Sequence, residues 1–399
     1  MSRIRNAAIA AVGGTAVLTA ALTACSGNES GGGSEKKSEM ESTGVVAAPV
    51  AAKISVNLKG NQARAGEPVR VTLAAGKLKE VTVADTRGGR LTGRISADAK
   101  SWTSDRNAAP GTGYTVEAKA EHGGSLRAGI TTAAADKVNK LTLAPGKNTT
   151  VGVAQPLSIV FDHPVKNRAA VEKQLKVTTS NNTVGSWGWL TDYSGKDRVD
   201  WRPKEYWKPG TTVKLNADLN GIDSGQDGGW FVRDYDTGFT VGRSQVVKVD
   251  LSSSSLKLVR DGREAASIPV SAGTPGGIQA SWSGTSVVIA KEGTVRMNSE
   301  TVGLGDAYDK MVAYSVRLTW SGMYAHAAPW NAAYFGKSNK SHGCIGMSTA
   351  NASSLYGKLQ VGDPFEITGK GSKGEPPQGN GYAEWNLSWS EWQSKSALR

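Results

Sequence analysis

Two short segments in the last fifth of the chain carry residue types that can do covalent chemistry. One is Ser341-His342-Gly343-Cys344-Ile345-Gly346-Met347, the other Tyr324-Ala325-His326-Ala327-Ala328-Pro329-Trp330. A free cysteine titrates near 8.5, so only about a few per cent is thiolate at neutral pH. A neighbouring imidazole can take that proton and leave a thiolate–imidazolium pair with a lowered thiol pKa. His342 lies two residues from Cys344, beside the sulfur in the chain. His326 is far enough away to arrive from a facing strand or loop, where a base must stand, and is the favoured partner. No Asp or Glu is close in sequence to His326, which leaves a backbone carbonyl to orient its other nitrogen. Gly343 and Gly346 let the backbone turn sharply and aim N–H groups at a developing oxyanion.

Competing chemistries fit less well. A thiol with two histidines can bind a metal, but the chain has only 4 histidines, and no second cysteine or carboxylate cluster stands near. No metal or cofactor is therefore expected. A buried structural cysteine is the plainer alternative. Against it stands the cysteine count of 2. Cys25 ends the run Leu22-Thr23-Ala24-Cys25, after Arg3, Arg5 and an apolar stretch from Ala7 to Leu22. That pattern is an export signal, and its ending resembles a bacterial lipobox, which implies lipid attachment at Cys25. Cys344 is then a lone thiol outside the cytoplasm, exposed to oxidation unless it has a use. His122 and His163 read as ordinary strand or loop residues.

The elements that must position this chemistry are short strands. The 399 residues hold 49 glycines, 12 tryptophans and many Val, Thr and Ser, and carry a net charge of 47 − 35 = +12. The excess charge is scattered, with no basic helix or Lys/Arg run, so an anionic envelope or plain solubility is expected rather than nucleic acid. After the signal (1–25), residues 26–51 form a Gly/Ser/Glu/Lys tether with little to bury. Residues 52–135 show period-two runs (Ile54/Val56/Leu58, Val69/Val71/Leu73, Tyr114/Val116/Ala118) divided by turn residues, which predicts a β-sandwich. Residues 136–244 repeat the style, with one short helix over Ala169–Leu175. Their cluster Trp187, Trp189, Trp201 and Trp207 reads as core, the sharper alternative being a saccharide-stacking surface. In 245–368 a hairpin (Val246–Leu251 with Leu256–Val259) leads to strands at Ser286–Ala290, Tyr314–Trp320 and Pro364–Thr368 and a helix over Ala350–Leu359. The connection from Glu292 to Lys310, with Met297 and Tyr308, reads as a mobile flap. The tail, 369–399, holds Trp385, Trp389 and Trp392 and is expected to wrap the catalytic region. The fold class is therefore mostly β: two immunoglobulin-like sandwiches, a β-rich catalytic domain and a C-terminal extension.

His326 followed by Ser341-His342-Gly343-Cys344 resembles the L,D-transpeptidase (YkuD-like) family, whose signature is a His, a spacer, then Ser/Thr-His-Gly-Cys. The likeness extends to the Tyr308 stretch and the Trp385-Asn386…Trp389…Trp392 tail, and the layout is similar to actinobacterial lipoprotein members with two immunoglobulin-like domains. The resemblance implies attack by Cys344 on the third residue of a peptidoglycan tetrapeptide stem. D-Ala then leaves, and an acceptor stem takes the thioester to give a 3→3 cross-link. It implies His326 as base, the Ala327 carbonyl as its orienter, and His342, Gly343 and Cys344 as the turn with the oxyanion donors. Tyr308, Met297, Trp330, Ser341 and Gly346 would contact substrate. Carbapenems would acylate Cys344. The expected partners are donor and acceptor stems and, through Cys25, the outer face of the membrane; nucleic acid is not among them. Two departures stand out: Gly346 replaces the family's usual Asn or Arg, and Ala327 a common Ser. They keep a second reading open, a catalytically impaired wall-binding lipoprotein. Sortases need an arginine after the cysteine, and here none follows until Arg399. Papain-like enzymes place Cys before His. Penicillin-binding enzymes need Ser-x-x-Lys with partner motifs, which Ser34…Lys37 and Ser254…Lys257 lack.

Overall fold

The computed structural model describes residues 54–56, 62–63, 65–86 and 88–399. The expected signal, Cys25 and the tether lie outside the described residues. Among them, no helix is long and apolar enough to cross a membrane.

Period-two patterning dictates the first β module. In Pro68–Leu73, Val69, Val71 and Leu73 face inward while the residues between them face solvent. This strand sits in a sheet ordered 54–56, 68–73, 101–107, 93–95. A second sheet is ordered 62–63, 125–132, 113–120, 78–85, 90–91. Val71 and Trp102 from the first meet Val83, Val116 and Ile130 from the second in one core. The second module repeats the plan with strands 141–144, 157–161, 197–203 and 185–191 against 149–151, 235–241, 212–217 and 175–179. Trp187, Trp189, Trp201 and Trp207 are buried in that core. Trp201 stacks on Trp207 with ring centres 5.3 Å apart, and Trp207 Nε1 donates to the Gln155 carbonyl at 2.7 Å. They are packing residues, and the saccharide-surface alternative falls away. The short helix is Arg168–Glu172. It stops earlier than expected because Leu175 already pairs with Ala217 as the first residue of a strand.

The third region holds two more sheets. The first contains β1 (Gln245–Asp250), β2 (Ser255–Arg260), β3 (Arg263–Pro269), β4 (Gly284–Val287) and, further along the chain, a strand at Pro364–Thr368. The second contains β5 (Ala290–Asn298), β6 (Asp309–Arg317), β7 (Tyr324–Ala327) and β8 (Ile345–Met347). The strand expected at 286–290 is divided. Val288 N–H bonds to Asp363 in the first sheet and Ile289 N–H to Arg317 in the second, so the chain changes sheets there. One apolar core, including Val249, Leu258, Val316, Ile345 and Phe365, lies between them with helix α1 (Thr349–Lys358). The segment read as a flap is largely regular. β5 and β6 pair antiparallel, and only the 3₁₀ turn Ser299–Val302 and the run to Tyr308 join them.

The tail corrects one expectation. It begins on the catalytic region, where Asn380 Oδ1 accepts from Ser321 N–H (2.9 Å) and Asn386 Oδ1 from Thr285 N–H (2.6 Å). It then crosses to the second β module rather than staying on the catalytic one. Trp385 Nε1 donates to Ala154, Trp392 Nε1 to Ser186, and Glu172 accepts from Ala397 N–H. The aromatic side chains find their apolar surface on that module, so the tail straps the two together.

Candidate active site

β7 and β8 are the elements that bring the chemistry together. They pair in parallel with His326 opposite Gly346 and Ala325 opposite Ile345, which sets Cys344 one residue before the ladder begins. His326 and Cys344 both line a cavity of about 130 Å³. Around it stand Met297 from β5, Tyr308 and Lys310 from the ribbon, Ala328, Trp330 and Asn331 after β7, and Lys340, Ser341 and His342 before Cys344.

The His326 tautomer follows from its partner. Nδ1 lies 2.7 Å from the Ala327 carbonyl oxygen, which can only accept, so Nδ1 carries the proton and Nε2 is left as a base. The ring is buried, and burial pushes its pKa below the usual imidazole value. At neutral pH it is uncharged and ready to accept. Trp330 packs against it with ring centres 6.1 Å apart, and Lys310 Nζ sits 4.6 Å from the Trp330 ring.

The thiol does not match the ion pair expected above. Cys344 is buried, and burial pushes its pKa up to about 11; the Tyr324 backbone N–H and the Lys373 ammonium pull the other way and do not offset it. Sγ donates instead to the Gly322 carbonyl at 3.5 Å. The resting pair is a neutral thiol and a neutral imidazole, because desolvation outweighs any gain from separating charge. Tyr308 feels the same burial and is pushed up to about 12, so its hydroxyl stays protonated.

The turn around Cys344 is tied down from several sides. Gly343 has φ 116°, a left-handed conformation that glycine adopts freely. Ser281 Oγ donates to its carbonyl, and Ser341 Oγ to that of Cys344. Among the described residues, the N–H groups of His342, Gly343 and Cys344 donate to no protein acceptor. Three consecutive free donors beside a thiol are what an oxyanion needs. The His342 ring packs on Tyr308 at 5.2 Å, which makes it a wall of the site.

Gly346 does not line the cavity. Its N–H and C=O bond to Ser271 at 3.0 and 2.9 Å, so the backbone itself fixes this loop. A Cβ there would lie 2.8 Å from the Ala328 Cβ. Gly346→Ala is expected to cost about 1–3 kcal/mol of local stability through this clash, read by amide hydrogen exchange in β7 and β8, and Ala328→Gly in the same chain to restore most of it.

Lys310, Asn331 and Lys340 were not anticipated as lining residues; single polar residues at a strand start (Lys310), in a 3₁₀ turn (Asn331) and in a loop (Lys340) leave no periodic signal. A second cavity, about 40 Å³, lies beyond the Tyr308–His342 pair and is lined by Ile278, Trp282, Gly322, Gly343 and Lys373 among others. Among the described residues, no group of three or more His, Cys, Asp or Glu could hold a metal ion.

Comparison with known proteins agrees with this geometry. The L,D-transpeptidase catalytic domain family matches residues 244–367. L,D-transpeptidase 5 of Mycobacterium tuberculosis is 33% identical over 336 residues, 83% of this chain and 73% of its own. This chain belongs to the L,D-transpeptidase family. L,D-transpeptidase 2 of the same organism is 31% identical over 338 residues, covering 83% of this chain and 81% of its own length. The bacterial Ig domain family matches residues 60–223, spanning strands of both β modules that precede the transpeptidase region. Among solved structures, an LD transpeptidase, LdtMt1, in complex with imipenem is 32% identical, covers 58% of this chain and all of its own, and superposes with a TM-score of 0.50.

Proposed function

We propose that this chain is an active peptidoglycan L,D-transpeptidase that forms 3→3 cross-links through a Cys344 thioester, exported and held at the membrane by a lipid on Cys25. The observation that carries the activity is the Nδ1–Ala327 hydrogen bond, which leaves His326 Nε2 basic in the cavity that Cys344 lines.

In this reading Sγ attacks the carbonyl of the third stem residue while its proton passes to Nε2. The oxyanion is met by the free N–H groups of the His342–Cys344 turn. As the carbonyl re-forms, the bond to D-Ala breaks, and the Nε2 proton goes to the departing amine. An acceptor amine then attacks the thioester. Its proton passes by way of His326 to the leaving sulfur, and the thiol is restored. Met297, Tyr308, Trp330 and Ser341 shape the donor site; Gly346 acts through the packing of β8. The two β modules act as a spacer toward the wall.

The test is incubation of the protein with a carbapenem and, separately, with a disaccharide tetrapeptide, followed by mass spectrometry. A covalent adduct on the Cys344 peptide and a cross-linked dimer lacking one D-Ala are expected. Reduced Cys344 with neither product would give first place to a wall-binding lipoprotein without activity.

A further inference from the structure

We propose that Lys373 forms an anion subsite in the second cavity, across the Tyr308–His342 pair from the first, and that it binds a free carboxylate of the peptide substrate. The proposal rests on the transpeptidase reading for its substrate, though not for the subsite itself.

Four observations support it. Lys373 lines the second cavity together with Gly322 and Gly343, the residues that flank the thiol through its hydrogen-bond acceptor and its own turn. Its backbone is fixed there. Lys373 N–H donates to the Ser281 carbonyl at 3.1 Å, and Ser281 Oγ in turn donates to the Gly343 carbonyl at 2.8 Å. The side chain reaches solvent, but its ammonium is held in place: Nζ sits 4.6 Å from the Trp282 ring and donates to the Ile278 carbonyl at 3.2 Å. Yet no carboxylate pairs with it among the described residues, and neither cavity is lined by an Asp or Glu.

An ammonium fixed at the edge of a cavity with no counter-charge beside it is a site for an anion. Lys310 and Lys340 add positive charge on the first cavity, so the whole cleft favours an acidic ligand. Peptidoglycan stems carry carboxylates that can also occur as amides. A cation at this position distinguishes the two forms. Lys373 also lies beyond residue 367, where the catalytic-domain match ends. It belongs to the tail and so gives the strap a part in substrate recognition.

The experiment compares alkylation of Cys344 by iodoacetate and by iodoacetamide, reagents that differ by a carboxylate. In each, sulfur displaces iodide and an S–C bond forms. Rates are read on the Cys344 peptide of the full chain. Any change in thiolate fraction cancels in the ratio, so the ratio reports only the anion's preference. Lys373→Met is expected to lower the iodoacetate-to-iodoacetamide ratio about tenfold, with Lys373→Arg within about twofold of wild type. Lys373→Met should likewise raise KM for a tetrapeptide with free carboxylates and leave KM for its amidated analogue unchanged. A ratio that does not move in Lys373→Met overturns the subsite, whatever the tetrapeptide shows. A ratio that moves in a protein unable to turn over any tetrapeptide keeps the subsite and removes the transpeptidase reading.

Discussion

Cys344→Ala is expected to abolish carbapenem acylation, and His326→Gln to slow it by about 10²–10⁴-fold. The pH dependence separates the two ways a buried thiol can react. In the wild type the imidazole removes the proton as the S–C bond forms, so the rate follows the fraction of neutral His326. Burial lowers that pKa, so the acid limb should fall below the usual imidazole range, and the rate should stay flat through neutral pH. In His326→Gln only thiolate formed in advance can attack. With the thiol pushed up to about 11, the thiolate fraction at pH 7 is roughly 10⁻⁴. The residual rate should then climb about tenfold per pH unit up to about pH 10. A His326→Gln profile that stays flat near pH 7 would show another base at work, with His342 the first candidate. A wild-type profile that climbs like the variant's would show that His326 does not take the proton.

The same thiol marks where sequence reading stops. Residue types and order pointed to Cys344 and His326, because few arrangements place a lone thiol after a histidine between two glycines. Period-two runs such as Val69/Val71/Leu73 told the strands and their inward faces, since alternation is a local property. The charge state of the pair was not legible. It depends on how deeply the turn is buried against Gly322 and Tyr324, which no local pattern encodes. Gly346 is similar. As a departure from the family pattern it kept a catalytically impaired reading open, whereas the fold shows a backbone bridge to Ser271 and a methyl group, Ala328, where a side chain would go. The tail was recognised by its tryptophans, but not the surface that receives them. Arg198 and Arg202, which meet it, lie some 180 residues earlier in an ordinary strand.

Arg202→Leu is expected to release the far half of that tail at a cost of about 3–5 kcal/mol. Arg202 is buried, and its guanidinium lies 4.7, 5.2 and 5.6 Å from the rings of Trp385, Trp392 and Trp389. It donates to the carbonyls of Glu384 (3.1 Å) and Leu387 (3.0 Å). Leucine fills part of the volume but satisfies neither carbonyl and offers no charge to the rings. It also removes a cation from the neighbourhood of Glu384, whose buried carboxyl already has its pKa raised by desolvation and by Asp200. Arg202→Lys keeps the charge without the planar face and should fall between. The chain has several cores, so one unfolding free energy does not describe it, and amide hydrogen exchange is the better readout. Amides from about Gly381 to Ser396 should lose protection in Arg202→Leu. The Lys373 segment should keep its own, because its bonds to Ser281 and Ser283 lie on the catalytic side of the strap. Alkylation ratios at Cys344 would then stay near wild type while the tail opens, placing the mechanical anchor at Arg202 and the anion subsite at Lys373. Loss of both together would mean that the strap positions Lys373 as one rigid piece, and that module and active site are coupled through it.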